Sequence, residues 1–428
     1  MTYLLLFGVF FILLFLGAPI CMCLGLSSVL ALLHNGTSLT VVASSVYAGI
    51  AKYLLLAVPF FVLSGNIMAR AGISRRLIAF VDACCGHIRG GIAVVCVVVA
   101  CFFGAISGSG AATVAALGVI LVPAMIDREG FDPPFATGIM AAASSIAIII
   151  PPSISFVVYA SITGASVGDL FMAGIIPGIL MGLALIVIVE MKARKDHLKP
   201  SHGWMGFRNL WDTFRDAVWG LLMPVIILGG IYGGIFSATE AAAVAVVYGL
   251  FVGVFIYKEL DLKALAALFV DTAKTTGGLM LIVGAAGIFS YACTAYGIST
   301  GVQNLLLNGS GNRYVFLLIV NIVFLVAGCF VDANSAMYIF IPIMTPVAKA
   351  FGIDLIHFGI IATVNLAIGQ VTPPVGMNLF VATGLRIDGH KPVTIAEISR
   401  AVVPMILSAL VVLLLVTYVE GISMCLIA

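Results

Sequence analysis

Apolar residues recur along this chain in runs so long and so numerous that water cannot be the solvent for most of it. The runs lie near 1–16, 19–34, 50–70, 89–105, 111–126, 132–163, 168–191, 217–236, 239–257, 274–296, 314–330, 335–350, 354–386 and 401–425. A helix that crosses a bilayer needs about 20 apolar residues, and many of these runs approach or exceed that length. Hydrophobic residues make up 62% of the chain and charged residues 9%, where a soluble domain carries about 25% charged residues. No soluble fold of this size hides so much apolar surface, so the surface must face lipid. The first run has no basic front region and a second follows at once, so it is read as a retained helix rather than a signal peptide.

Several function classes fall away on the same reading. A net charge of +2 gives no reason to expect a nucleic-acid partner. Cys21, Cys23, Cys84, Cys85, Cys96 and Cys101 mostly sit in apolar runs. Their spacing fits neither a zinc site nor a disulfide framework, and they read as small apolar fillers. The 6 histidines form no HExxH pattern, and no GxxxxGK[ST] is present, so ATP is not expected as the direct drive. No nucleophile–base pair is visible, which leaves a membrane enzyme as the weakest class. No cofactor and no transition metal are expected.

One long polar stretch, 192–216, divides the chain into halves 1–191 and 217–428. It holds Lys192, Arg194, Lys195, Lys199, Arg208 and Arg215, with Trp204 and Trp211, aromatics suited to a membrane interface. The halves carry the same punctuation. Ala71-Gly72-Ile73-Ser74 recurs as Tyr296-Gly297-Ile298-Ser299. About 30 residues later each half has a polar break, Gly104 to Thr113 in the first and Gly328 to Ser335 in the second. Pro123 and Pro346 follow Ser109 and Asp332 by 14 residues each. Pro151-Pro152 and Pro373-Pro374 then interrupt long apolar runs, and the offset stays at 222 to 225 residues throughout.

The arms beside each polar break are short for spanning helices, so each pair reads as a re-entrant hairpin, 89–126 and 314–350. The runs 132–163 and 354–386 read as broken helices. Ten spanning segments remain, five per half, and an odd number inverts the second half relative to the first. With 192–216 in the cytoplasm, the stretches 70–89, 127–132, 258–274 and 386–400 fall on the same side. These five stretches hold 17 of the 20 Lys and Arg, leaving out Lys52, Arg313 and Lys349. That is the positive-inside bias. It predicts a multi-pass inner-membrane protein with both termini in the periplasm. Short amphipathic arm helices are expected near 37–48, 77–86, 262–271 and 394–400.

Backbone at membrane depth must find its hydrogen bonds within the protein, so broken helices persist only where buried or lining a wet cavity. Matched breaks in inverted repeats are a common construction for a midplane solute site. Free carbonyls suit an alkali cation, and N–H groups at half-helix starts suit an anion. Na⁺ as coupling ion is expected at Ser107, Gly108, Ser144, Ser145, Asp332, Asn334, Gly369, Thr372 and Gly376. Substrate is expected at Ser109, Thr113, Pro151, Ser153, Ser155, Ser335, Pro373 and Asn378, with Gln370 nearby. An acid inside a membrane points to function by default, although Asp332 also suits a helix cap. Small-residue helix packing is the plainer reading of the first tip, and simple kinks that of the proline pairs. Glu240, three residues after Ser237, reads as a structural cap.

Taken together, Val58-Pro59-Phe60-Phe61 to Gly65, Gly104 to Thr113, Ile150 to Ser155, Thr239-Glu240-Ala241-Ala242-Ala243 and Thr372-Pro373-Pro374-Val375-Gly376 resemble the large membrane subunit of tripartite ATP-independent periplasmic (TRAP) transporters. The resemblance runs along nearly the whole chain. It implies an all-α polytopic fold of two inverted repeats with the elevator architecture of sodium-coupled carboxylate transporters. It implies Na⁺-coupled uptake of an organic acid, of C4-dicarboxylate or sialic acid type. Two partners follow, a small four-helix membrane subunit and a soluble periplasmic substrate-binding protein, both expected as separate polypeptides. A stand-alone Na⁺- or H⁺-coupled carboxylate carrier or exchanger is the alternative, and an ion channel the third reading.

Overall fold

A computed structural model describes residues 2–427 except 388 and 390. The helices of the first half are α1 (Thr2–Phe15), α2 (Ile20–His34), α3 (Thr40–Ile50), α4 (Ala57–Arg70, entered through a 3₁₀ turn Tyr53–Leu56) and α5 (Ile73–Cys85). They continue with α6 (Gly91–Ser107), α7 (Gly110–Glu129), α8 (Pro133–Ser145), α9 (Ile154–Thr163) and α10 (Val167–Lys195). The second half opens with α11 (Gly206–Tyr232), α12 (Ala238–Phe251), α13 (Leu262–Ala295), α14 (Ile298–Ser310) and α15 (Arg313–Phe330). It closes with α16 (Ala333–Ala350), α17 (Leu355–Gly369), α18 (Met377–Thr383), α19 (Ile395–Ala401), α20 (Val403–Tyr418) and α21 (Gly421–Met424). No strand occurs among the described residues. The fold is an all-α polytopic membrane protein, and seven helices among the described residues are individually long and apolar enough to cross a bilayer.

The repeated punctuation has repeated backbone geometry. Gly72 and Gly297 take φ +69° and +67°, and each starts its arm helix, α5 or α14, from the left-handed region. Only glycine adopts that region without strain. Asp132 caps α8 and Asp354 caps α17, each accepting a backbone N–H with its carboxylate, the usual way to satisfy a helix start. Both of these helices then stop before a proline pair, Pro151-Pro152 or Pro373-Pro374, and both pairs are joined by cis peptide bonds.

Helix boundaries depart from the apolar runs in three places. The basic stretch 192–216 is mostly helical, because α10 continues to Lys195 and α11 starts at Gly206. Polarity ends a membrane span, but backbone hydrogen bonding continues until a breaker arrives. The segment 262–271 is likewise no separate arm. It is the first part of the 34-residue α13, capped by Asp261 and free of proline. At 1.5 Å per residue that helix is about 51 Å long, well beyond the apolar thickness of a bilayer. The third departure is α7, which runs past 126 through Asp127-Arg128-Glu129 to a left-handed Gly130. There Glu129 Oε1 accepts the N–H of Ile92 at 3.0 Å, so the end of one hairpin arm caps the start of the other.

The helices pack as two groups. α1, α2, α4, α12 and α13 lean on one another, with α3 along α13 and α5 along α11, and form a frame. The hairpins α6–α7 and α15–α16, the broken helices α8–α9 and α17–α18, and α10 and α20 form a core. Length alone would let α7 and α15 cross a bilayer, but their hairpins turn inside the protein. A Cβ on Gly65, well within α4, would lie 2.9 Å from Ser107 Cα, so the first tip ends against the body of a spanning helix. The two hairpins also cross the broken helices at matched points. A Cβ on Gly104 would lie 2.5 Å from Ala147 Cα, and one on Gly369 would lie 2.6 Å from Gly328 Cα. A buried amide set, Asn365 Nδ2 to Asn321 Oδ1 at 2.8 Å and Asn321 Nδ2 to Thr417 Oγ1 at 3.2 Å, ties α17, α15 and α20 together. Gly104→Val and Gly369→Val are each expected to destabilise the protein by about 1–3 kcal/mol through overpacking. Thermal unfolding in detergent measures this, with Gly277→Ala, at a helical site open to space, as a control expected to lose no stability and to gain up to about 1 kcal/mol.

Candidate functional site

Both hairpin tips and the two helix breaks face one cavity of about 770 Å³. Ser107, Gly108 and Ser109 of the first tip line it, with Asp332 and Asn334 of the second tip, Ser155 of the first break and Gln370 of the second. Four sequence-distant segments therefore meet around a single space. The frame supplies the opposite wall through Asn66 and Arg70 of α4 and Thr275 of α13.

The first tip is held by its own hydroxyls. Thr113 Oγ1 donates to Ser109 O at 2.8 Å and lies 3.0 Å from Ser107 Oγ. Gly108 turns the chain at φ +61°, and Ser109 Oγ accepts the N–H of Ala112 to start α7. At the second tip Asp332 accepts the backbone N–H of Ser335 at 3.1 Å and also the Ser335 hydroxyl. Asp332 is thus the cap of α16 and a wall of the cavity at once. Ser155 Oγ donates to Asn334 Oδ1 at 3.0 Å, which joins the first break to the second tip.

At the second break, Gly376 takes φ +54° and donates its N–H to Cys329 O at 3.0 Å. Asn378 Nδ2 donates to Ala141 O at 3.3 Å on α8, so the second broken helix is tied to the first. Asn378 Oδ1 and Gln370 Oε1 are buried with no donor among the described residues. Both face Gly110 at the start of α7, where a Cβ would lie 2.9 Å from each oxygen. Two unsatisfied amide oxygens at one spot are costly, and hard oxygen donors of this kind suit an alkali or alkaline-earth cation.

Other sequence candidates sit deeper or elsewhere. Ser144 and Ser145 are buried and donate to Met140 O and Ala142 O of their own helix. Thr372 donates to Ile368 O, and Ser153 to Ile148 O across the break. Gly369 is occupied by its close crossing with Gly328. Pro151 lines a separate apolar cavity with Cys101, Ile150 and Ile179, and Pro373 lines neither cavity. Glu240 and Ser237 form a reciprocal capping box at the start of α12. No cluster of three or more His, Cys, Asp or Glu able to hold a metal occurs among the described residues.

The frame side of the cavity was not apparent from sequence. Arg70 Nη2 pairs with Asp271 Oδ2 at 2.9 Å, and Asn66 Nδ2 donates to Thr272 Oγ1 at 3.0 Å, so both residues of α4 engage α13. Asn66 and Arg70 stand four apart on one helix face, directly after the Val58 to Gly65 motif. That spacing was the available signal.

A helical membrane permease, with paired tips and breaks around a central cavity, is the class that this arrangement defines. Residues 7–422 match the family described as "Tripartite ATP-independent periplasmic transporter, DctM component", and the chain belongs to that family. It is 43% identical over 404 residues to the C4-dicarboxylate TRAP transporter large permease protein DctM of Pseudomonas aeruginosa, covering 94% of this chain and 93% of that one. It is 41% identical to the isethionate TRAP transporter permease protein DctMQ of Oleidesulfovibrio alaskensis, covering 98% of this chain and 65% of that one. It is 35% identical to the sialic acid TRAP transporter large permease protein SiaM of Vibrio cholerae, covering 90% and 88%. The fold also resembles the crystal structure of the Alcanivorax borkumensis YdaH transporter, with a TM-score of 0.62, 15% identity and coverage of 89% and 88%.

Ser155→Ala removes a bond between two core segments and is expected to cost about 1 kcal/mol of stability. Ser144→Ala removes a bond within one helix and is expected to cost less. Thermal unfolding of the two variants side by side checks the order.

Proposed function

We propose that this permease takes up an organic acid anion together with Na⁺, by an elevator motion of the core against the frame. The observation that supports this best is the joint cavity. Two orphan amide oxygens stand behind the first tip, and the cavity opens past a cation, Arg70, on the frame. Oxygen-rich breaks attract the coupling ion, while the starts of α7 and α16 and the Arg70 guanidinium attract the anion. Relatives named for C4-dicarboxylates, isethionate and sialic acid all bear on anionic solutes, and the 43% identity favours a C4-dicarboxylate.

The charge bias supports an orientation with the Arg70 mouth toward the cytoplasm and the chain termini in the periplasm. In that frame the described cavity is the inward-facing one. A small four-helix membrane subunit and a soluble periplasmic binding protein complete the system. Each positive charge moved down 100 mV supplies about 2.3 kcal/mol, so two or more Na⁺ per anion support steep accumulation.

Proteoliposomes holding the chain and both partners test this reading. Succinate uptake is expected under an inward Na⁺ gradient and only with the binding protein present. Uptake without the binding protein would point instead to a self-sufficient carrier, and channel-like currents to a pore. Asp332→Ala and Ser107→Ala are expected to weaken the Na⁺ dependence with folding near normal. Unchanged Na⁺ dependence in both removes them from coupling. Arg70→Gln is expected to raise the KM for the anion while costing at most about 1 kcal/mol of stability, because its ion pair is solvent-exposed.

A further inference from the structure

The cavity at the hairpin tips has a counterpart at the other end of the same frame helix. This second cavity, of about 650 Å³, is lined by Ser45 and Gly49 of α3, by Lys52 just before the turn into α4, and by Val283, Gly287 and Ser290 in the later part of α13. The core side comes from Thr163 of α9 and from Tyr338, Thr345 and Lys349 of α16. Neither hairpin tip reaches it. Lys52 and Arg70 bracket the segment 53–70, whose 18 residues span about 27 Å, close to the apolar thickness of a bilayer. A cation therefore stands at each end of this span.

The second cavity is built across the boundary between frame and core. Lys52 belongs to the frame, and its Nζ donates to the carbonyl of Ser161 on α9 at 2.6 Å. Lys349 sits near the outer end of α16, the second arm of the second hairpin. Two lysines line the cavity, and no carboxylate among the described residues does. Hydroxyls of Ser45 and Ser290 supply further donors, while those of Thr163 and Thr345 donate to Tyr159 O and Ile341 O of their own helices. Between this space and the tip cavity, Val58 and Phe61 of α4 and Phe156 to Ala160 of α9 are buried, so the two spaces are back to back.

We infer that the Lys52–Lys349 cavity is a second anion-binding site, a vestibule that takes the carboxylates of an organic acid at the mouth opposite Arg70. The inference rests on the uptake reading only for the direction of traffic. The anion bridges a cation on the frame and a cation on the core. In doing so it competes with the Ser161 carbonyl for Lys52 and loosens a contact that closes this end. Arg70 and Lys52 then play equivalent parts, each drawing the anion to its own mouth.

Lysine acylation tests this with the whole chain in proteoliposomes. A membrane-impermeant succinimidyl ester is applied from each side, and modification of each lysine is followed by mass spectrometry. Millimolar succinate without Na⁺ is compared with chloride at equal ionic strength. Succinate is expected to slow acylation of Lys52 and Lys349 and to leave the exposed Lys263, at the other end of the frame, unaffected. Lys349→Gln is expected to raise the succinate concentration that half-protects Lys52 about fivefold, the worth of one exposed ion pair. Lys349 has no side-chain bond to the frame among the described residues, so this variant tests the site even if Lys52→Gln proves unstable. Protection of both lysines is expected to persist in Asp332→Ala, whose altered residue lies at the tips. Equal acylation in succinate and chloride overturns the vestibule, and so does half-protection unchanged by Lys349→Gln. Uptake measured on the same wild-type chain, reconstituted with both partners under an inward Na⁺ gradient, separates the two readings: transport without protection sinks only the vestibule, and protection without transport sinks only the coupled uptake.

Discussion

Every special feature of this protein follows from the need to satisfy broken backbone away from water. A helix interrupted within a bilayer leaves N–H and C=O groups whose exposure to lipid costs several kcal/mol each. Here four interruptions are gathered at one place, where they satisfy one another or face a shared cavity. Gly376 donates to Cys329 across elements, Asn378 reaches Ala141, and Ser155 reaches Asn334. None of these segments would be stable by itself, so the core has to assemble as a unit.

That dependence explains the placement of small residues. The hairpins reach the breaks only if helices cross at backbone contact, which the Gly104–Ala147 and Gly328–Gly369 pairs allow. Gly65 does the same for the frame, letting α4 come up to the first tip. Close packing gives dispersion contacts in place of the hydrophobic force that lipid removes between helices. Polar groups also stand along the boundary between frame and core. Arg70, Asn66 and Lys52 stand at or near that boundary, and the cavities open along it.

The comparison of residue pattern with structure is uneven in an instructive way. The tips Ser107 to Ser109 and Asp332 to Asn334 were legible because glycine, serine and acid stand out in an apolar run, and because the same pattern occurs twice. Ser155 and Gln370 were legible through their proline pairs. Ser144, Ser145 and Thr372 looked alike on paper but spend their hydroxyls on their own helices. Pro151 turned out to face an apolar space. Asn66, Arg70 and Thr275 were missed because they lie outside the repeated motifs, on ordinary helices. The 262–271 segment was misjudged as a separate arm because a polar turn of a long helix looks like a boundary when only hydropathy is read.

The amino-acid sequence by itself determined the solvent, the helical class, the two-fold repetition and the positions where helices break, since each depends on local chemistry: apolar length, proline, glycine and capping residues. Only the tertiary structure decided which polar groups share a space and which are spent on their own backbone. A hydroxyl or amide has the same identity whether it bonds to its own helix or to a partner nearly 180 residues away, as Ser155 does to Asn334. That choice is made by how the hairpins cross the broken helices, and crossing is a property of the packed whole.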